Sequence, residues 1–159
     1  MQCLTGGGGE VWIDVPFVKQ EKYGCGAASI AMLMQYWSRD ADPRQIQKEI
    51  DSGEPAGARG SDVRRYLQQH GFRTFVFEGQ WSDLTEHLAK GRPLLVCLNP
   101  TTHGPSHYVV VAGVDPVRNL VLINDPGRRK LLKVERAGFD KDWSAAHRWT
   151  LLAVPEPAK

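Results

Sequence analysis

The sequence predicts an α+β fold, with helices gathered in the first half of the chain and strands in the second, and three observations predict it. First, residues 27–37 are apolar almost without a break, interrupted only by Ser29 and Gln35. The stretch is too long for an ordinary strand and rich in Ala, Leu and Met, so it reads as a helix. A helix that is apolar all round belongs in the middle of a protein. Second, short runs rich in Val, Ile and Leu recur at 93–98, 107–114 and 119–124, each bounded by Pro, Gly, Asn or Asp, as strands are. Third, the two kinds of element are segregated along the chain, which is the mark of α+β rather than α/β.

The elements follow in order. Residues 1–9, Met-Gln-Cys-Leu-Thr-Gly-Gly-Gly-Gly, read as a flexible tail, and 10–156 as a single domain. Residues 11–15 alternate loosely and read as a short strand. The central helix starts at Cys25 and ends near Ser38. Asp42 and Pro43 supply an N-cap and a first helical residue for a short helix through Ile50. After a Gly- and Pro-rich loop at 52–60, Ser61 is expected to cap a helix over 62–70 that Gly71 stops. His70 at that helix end reads as structural, since a partly positive imidazole suits the dipole. A strand over 72–77, a helix over 82–90 and a buried strand over 93–98 carrying Cys97 come next. Strands at 107–114, 119–124 and 130–134, a helical turn within 135–143 and a last strand over 148–154 complete the chain.

Composition excludes several classes of function. The chain has 159 residues and a formal charge of +2, long enough for a core without staples and too balanced to point to nucleic acid. No apolar run reaches the length of a membrane span, and no secretory h-region stands at the N-terminus. Three widely spaced cysteines form neither a disulfide framework nor a metal pattern, so neither metal nor cofactor is expected. For the compartment the expectation is extracytoplasmic, exported or lipoprotein-derived, and for the assembly a monomer.

The chemistry is concentrated at three places. Gly24 and Gly26 bracket Cys25 where the apolar helix begins, and first-turn N–H groups and the helix dipole favour thiolate over thiol there. An isolated cysteine is usually a small buried hydrophobe, but two downstream residues change the weighing. His107 opens one β-branched run, and Asp125 ends the next in an Asp-Pro-Gly turn. Adjacent strands can bring the start of one and the end of the next to the same sheet edge. Cys, His and Asp are the residue types of a thiol-protease triad. His103, in a Thr- and Gly-rich loop, is the rival base.

These residues resemble the C39 peptidase family and its stand-alone, papain-like relatives. The matching pieces are Val15-Pro16-Phe17-Val18-Lys19-Gln20, Cys25-Gly26-Ala27-Ala28, His107-Tyr108-Val109-Val110-Val111 and Asn124-Asp125-Pro126, with Phe139 and Trp143 resembling the family's tail. The resemblance implies a papain-like cysteine peptidase fold whose Cys-bearing helix packs on a C-terminal antiparallel sheet. It implies a bacterial thiol protease: Cys25 as nucleophile, His107 as proton carrier, Asp125 as its orienting partner and Gln20 as an oxyanion donor. It further implies a peptide or protein substrate cut after Gly-Gly or other small residues. Gly24, Gly26 and Gly60 are expected to let backbones come close, and Tyr23, Tyr108 or Trp12 to wall the groove. Here Gly24 precedes the cysteine and Ala27 follows Cys-Gly, where many stand-alone relatives carry Asp or Gln and a proline, which leaves specificity open. Three other readings compete: a catalytically silent peptide-binding module, a papain-like amidase or acyltransferase, and a structural domain with an inert Cys25.

Overall fold

The computed structural model describes residues 3–5, 9–20, 24–50, 58–101 and 106–157. Its elements run β1 (Cys3–Thr5), β2 (Val11–Ile13), α1 (Cys25–Tyr36), α2 (Pro43–Ile50), α3 (Gly60–Gln69), β3 (Phe72–Glu78), α4 (Trp81–Ala89), β4 (Leu94–Leu98), β5 (His107–Asp115), β6 (Leu120–Asn124), β7 (Leu132–Glu135), α5 (Arg136–Ala145) and β8 (Trp149–Pro155). This is the mixed helix and antiparallel-sheet architecture that the sequence predicts. Residues 3–5, inside the stretch read as a flexible tail, form β1 and pair antiparallel with β2, covering an edge that would otherwise be open.

Every strand pairing is antiparallel, in the order β1-β2-β5-β4-β8-β3, with β6 and β7 added alongside β5. Strand β5 is the hub. One of its edges pairs with β6 from Val110 to Asp115. The other edge pairs with β4 from His107 to Val111 and then with β2 at Gly113 and Val114. Being paired on both edges and covered on both faces, β5 is buried from Tyr108 to Asp115, which is why its sequence is a continuous β-branched run rather than an alternating one.

Helix α1 packs on this hub. Residues 26–34 are all buried, as an all-round apolar helix requires. The one polar side chain among them, Ser29, donates its hydroxyl hydrogen to the Tyr108 carbonyl at 3.2 Å. That bond ties α1 to β5 one residue beyond His107 and satisfies a hydroxyl that would otherwise be costly to bury. At the other end of α1, Tyr36 donates to the Gly91 carbonyl at 2.6 Å.

Several boundaries differ from expectation: β2 stops at Ile13 and β7 starts at Leu132, and three helices depart as well. Helix α3 begins at Gly60 behind Arg59, which makes no side-chain cap, so Ser61 is not the N-cap. The backbone of Gly60 lies against the Trp149 indole, where a Cβ would come within 2.9 Å. Helix α4 begins one residue before the expected start, closed by the Gln80 N–H on the Asp83 carboxylate at 2.7 Å. Helix α5 is a full ten residues rather than a turn. Phe139 and Trp143, one helical turn apart, are 3% and 1% exposed with ring centroids 5.2 Å apart. That burial outweighs the poor helix propensity of Gly138.

Candidate active site

Cys25 is the first residue of α1. The helix N-cap is Gly24, with no side-chain cap and no acidic residue in the first turn, so the positive helix end faces the sulfur without an internal counter-charge. Gly24 is held from outside: its N–H donates to the Gln47 carboxamide of α2 at 3.1 Å. The Tyr108 N–H donates to Cys25 Sγ at 3.4 Å, so the start of β5 reaches the sulfur through its main chain as well as its histidine.

His107 lies between the thiol and a carboxylate. Its Nε2 is 2.7 Å from Asp125 Oδ1, and the Cys25 side chain is the second influence that raises its pKa. With Nε2 engaged by Asp125, Nδ1 is the nitrogen left for the sulfur. The two residues come together because β5 and β6 are antiparallel neighbours: Val110 pairs with Asn124, so the start of β5 and the residue after β6 share one edge. The Asp125 hydrogen bond, followed by the Cys25 one, pushes the His107 imidazole up to about 10 against the opposing pull of burial. For Asp125, burial works to raise the carboxyl, but the bond to His107 and the Gly127 N–H outweigh it and hold it below the usual carboxylate range. The Gly127 N–H donates to Oδ1 at 2.9 Å. The imidazolium–carboxylate state is therefore the favoured one around neutrality.

Gln20 joins this cluster through the Asn124-Asp125-Pro126 run. Buried Asn124 donates to the Val15 carbonyl at 3.0 Å and accepts from the Leu131 N–H at 3.0 Å, pinning the segment that leads to Gln20. The Gln20 N–H then donates to the Pro126 carbonyl at 2.7 Å. A Cβ placed on Gly127 would stand 3.5 Å from Asp125 Oδ1, 3.7 Å from Gln20 Oε1 and 3.8 Å from His107 Cε1, so these three side chains converge on one point. His107, Asp125 and Gln20 thus meet from three separate places in the chain.

The expected groove residues divide. Tyr108 and Gly60 line a cleft of about 310 Å³, together with Cys97, Ser106, His147 and Trp149; of these, Tyr108 is the residue whose N–H reaches Cys25 Sγ. The Tyr108 ring meets Trp149 edge-on at 5.6 Å and its hydroxyl donates to the Ala58 carbonyl at 3.0 Å; burial pushes that hydroxyl's pKa upward. Gly26 is buried instead: a Cβ there would come 3.3 Å from Ala58, with Ile50 and Tyr108 at 3.6 Å. Its smallness serves helix packing. Trp12 pairs with Gly113 towards the far end of β5, away from His107. Tyr23 and His103 lie outside the described residues. His70 is structural, its Nδ1 2.7 Å from the Tyr66 carbonyl and its ring stacked on Tyr66 at 3.9 Å.

Trp149, Gln47 and Gly127 were not predicted. Trp149 reads as an ordinary strand residue, and Gln47 as one polar residue on an exposed helix, so neither carries a local signal. Among the described residues no group of three or more His, Cys, Asp or Glu is placed to hold a metal ion, and no helix is long and apolar enough to cross a membrane.

Comparison with known proteins gives a consistent family. The model of the Peptidase_C39 like family matches residues 12–150. Among solved structures, a C39-like peptidase candidate from Bacillus anthracis superposes with a TM-score of 0.78 at 20% identity, covering 94% of this chain and 99% of that one. The peptidase domain of Streptococcus ComA, a bifunctional ABC transporter involved in quorum sensing, gives 0.74 at 19% identity over 90% of this chain and 100% of that one. A double glycine motif protease from an AMS/PCAT transporter, solved in complex with its leader peptide, gives 0.73 at 23% identity over 91% and 94%. No curated protein sequence matches significantly.

Proposed function

The chain belongs to the Peptidase_C39 like family, and on that premise we propose that it is a cysteine peptidase working through Cys25, His107 and Asp125. The observation that carries this reading is the imidazole of His107, bonded to Asp125 Oδ1 at 2.7 Å and raised in pKa by both Asp125 and Cys25. That is the arrangement an activated nucleophile needs: base within reach, base oriented by a third group.

The steps follow from the geometry. The Cys25 sulfur, as thiolate, attacks the scissile carbonyl carbon. The negative charge that moves to the carbonyl oxygen is met by N–H groups at the start of α1, with the Gln20 carboxamide as the side-chain donor. His107, protonated and held so by Asp125, gives its proton to the leaving amine as the carbon–nitrogen bond breaks. Water then attacks the thioester carbonyl, His107 taking its proton, and the acid leaves as the sulfur is released.

A peptide substrate is favoured over another acyl donor by the likeness to a protease solved with its leader peptide bound. The reading extends to small residues next to the cut, Gly-Gly among them. The test is a peptide library varied at the two positions before the cut, run with the native protein and Cys25→Ala. Cleavage by the native protein alone supports the peptidase. Peptide binding by both proteins without cleavage by either would make the chain a silent binding module instead.

A further inference from the structure

A second cleft lies between the starts of α4 and α5, well apart in composition from the thiol site. Its volume is about 480 Å³, within the range of small-ligand sites, and its lining is Gln80, Trp81, Asn119, Arg136, Asp140 and Arg148, with Ala137. The two clefts meet at the turn after α5: His147 and Trp149 wall the one that Tyr108 lines, whereas Arg148 between them faces this one.

Its charge is unbalanced. The Arg136 guanidinium lies 3.9 Å over the Trp81 ring, a contact that uses one face and leaves the in-plane N–H groups to point elsewhere. No carboxylate among the described residues pairs with it. Arg148 is anchored by Asp140 at 2.7 Å, with its guanidinium 5.1 Å from the Trp143 ring and its side chain only 21% exposed. Two guanidinium groups therefore stand against one carboxylate. Asp140 shows, inside the cleft, what kind of group suits Arg148.

Helix α5 opens at this cleft with Glu135 as its N-cap residue, whose side chain makes no cap hydrogen bond. Its first N–H is used on the Asn119 carbonyl at 2.8 Å. Two residues of the lining, Asn119 and Arg148, hold left-handed backbone conformations, with φ of 54° and 51°. Side chains at such positions are kept there only when the surroundings over-determine them.

We propose that this cleft is a ligand site separate from the thiol centre, which binds the phosphate or carboxylate group of a small anionic ligand through Arg136 and Arg148. Arg136, pre-positioned by Trp81, supplies the paired N–H groups. The Gln80 and Asn119 carboxamides fill the rest of the shell.

The test is an NMR titration of the full chain with sodium phosphate and, separately, with sodium succinate, each referenced to sodium chloride at matched ionic strength. Saturable shifts of the Trp81 indole N–H, the Arg136 Nε–H and the Ala137 amide are expected with at least one of the two. Tighter phosphate binding identifies a phosphate ligand, and tighter succinate binding a carboxylate one. Arg136→Gln should weaken the binding about tenfold, the scale of one charge-assisted pair, while leaving the alkylation rate of Cys25 unchanged. Asn119→Asp, which keeps a residue tolerant of the left-handed conformation, should weaken it similarly by placing a carboxylate in the cleft. Shifts no larger than those of chloride, or undiminished binding by a folded R136Q chain, would overturn the proposal.

Discussion

Replacing Asp125 by Asn isolates the charge that keeps His107 protonated. In the native protein the Asp125 hydrogen bond at 2.7 Å is the largest influence on His107 and the Cys25 contact the next, and together they carry the imidazole up to about 10 despite burial. An asparagine oxygen can still accept from Nε2, but it cannot attract the cation. A neighbouring opposite charge is worth about one to three pKa units, so the variant should titrate at about 7 to 9, with Cys25 still holding part of the shift. Each unit is about 1.4 kcal/mol, so the Asp125 charge stabilises the imidazolium by about 1 to 4 kcal/mol. The assay is direct: the His107 Cε1–H signal followed by NMR from acid to alkaline pH in both proteins. The alkaline limb of kcat/KM should move down with it, because only the imidazolium can protonate the leaving amine. A native midpoint at the ordinary histidine value of about 6.5, or the same midpoint in both proteins, would refute the reasoning.

Other expectations are simpler to state. Iodoacetamide at mildly acidic pH should modify Cys25 well before Cys97, whose thiol is 5% exposed and pushed up by burial; mass mapping of the alkylated peptides decides it. Gln20→Ala should lower kcat by about a hundred- to a thousand-fold, the scale of one oxyanion donor, and an unchanged kcat would remove Gln20 from that role. Stability should respond to pH on both sides. The raised His107 contributes fully below about 6.5 and loses its contribution as pH climbs through about 10. The lowered Asp125 contributes above the usual carboxylate range and loses it as pH falls through its depressed value. Urea unfolding at a series of pH values should therefore show stability declining between neutrality and about 10, with a flatter curve for His107→Asn. Trp143→Ala should cost about 3 to 5 kcal/mol, as large core truncations do, since Trp143 is 1% exposed and anchors α5 before the turn beside the cleft; a midpoint shift well under that in the same unfolding assay would contradict it.

The sequence by itself determined the elements whose signals are local. The uninterrupted apolar run makes α1, and burying it forces the middle of the protein to form around it. The short runs rich in Val, Ile and Leu make β4, β5 and β6, and the Asp-Pro-Gly turn ends the last of them. The order Cys25, His107, Asp125 was legible because each residue stands at an element boundary, where polar groups are placed for chemistry or capping. Tertiary structure alone decided what those boundaries face. Only the antiparallel register of β5 on β6 puts His107 beside Asp125, and only the Asn124 and Pro126 bonds bring Gln20 to them. Likewise, Gly26 serves packing and Gly60 a tryptophan 89 positions later in the chain. Helix α5 was underestimated because its stability comes from Phe139 and Trp143 meeting the sheet, not from its own propensity. The physical reason is the same throughout: spacing along the chain records local preference, whereas contacts between distant residues exist only once the hydrophobic core has chosen which faces meet.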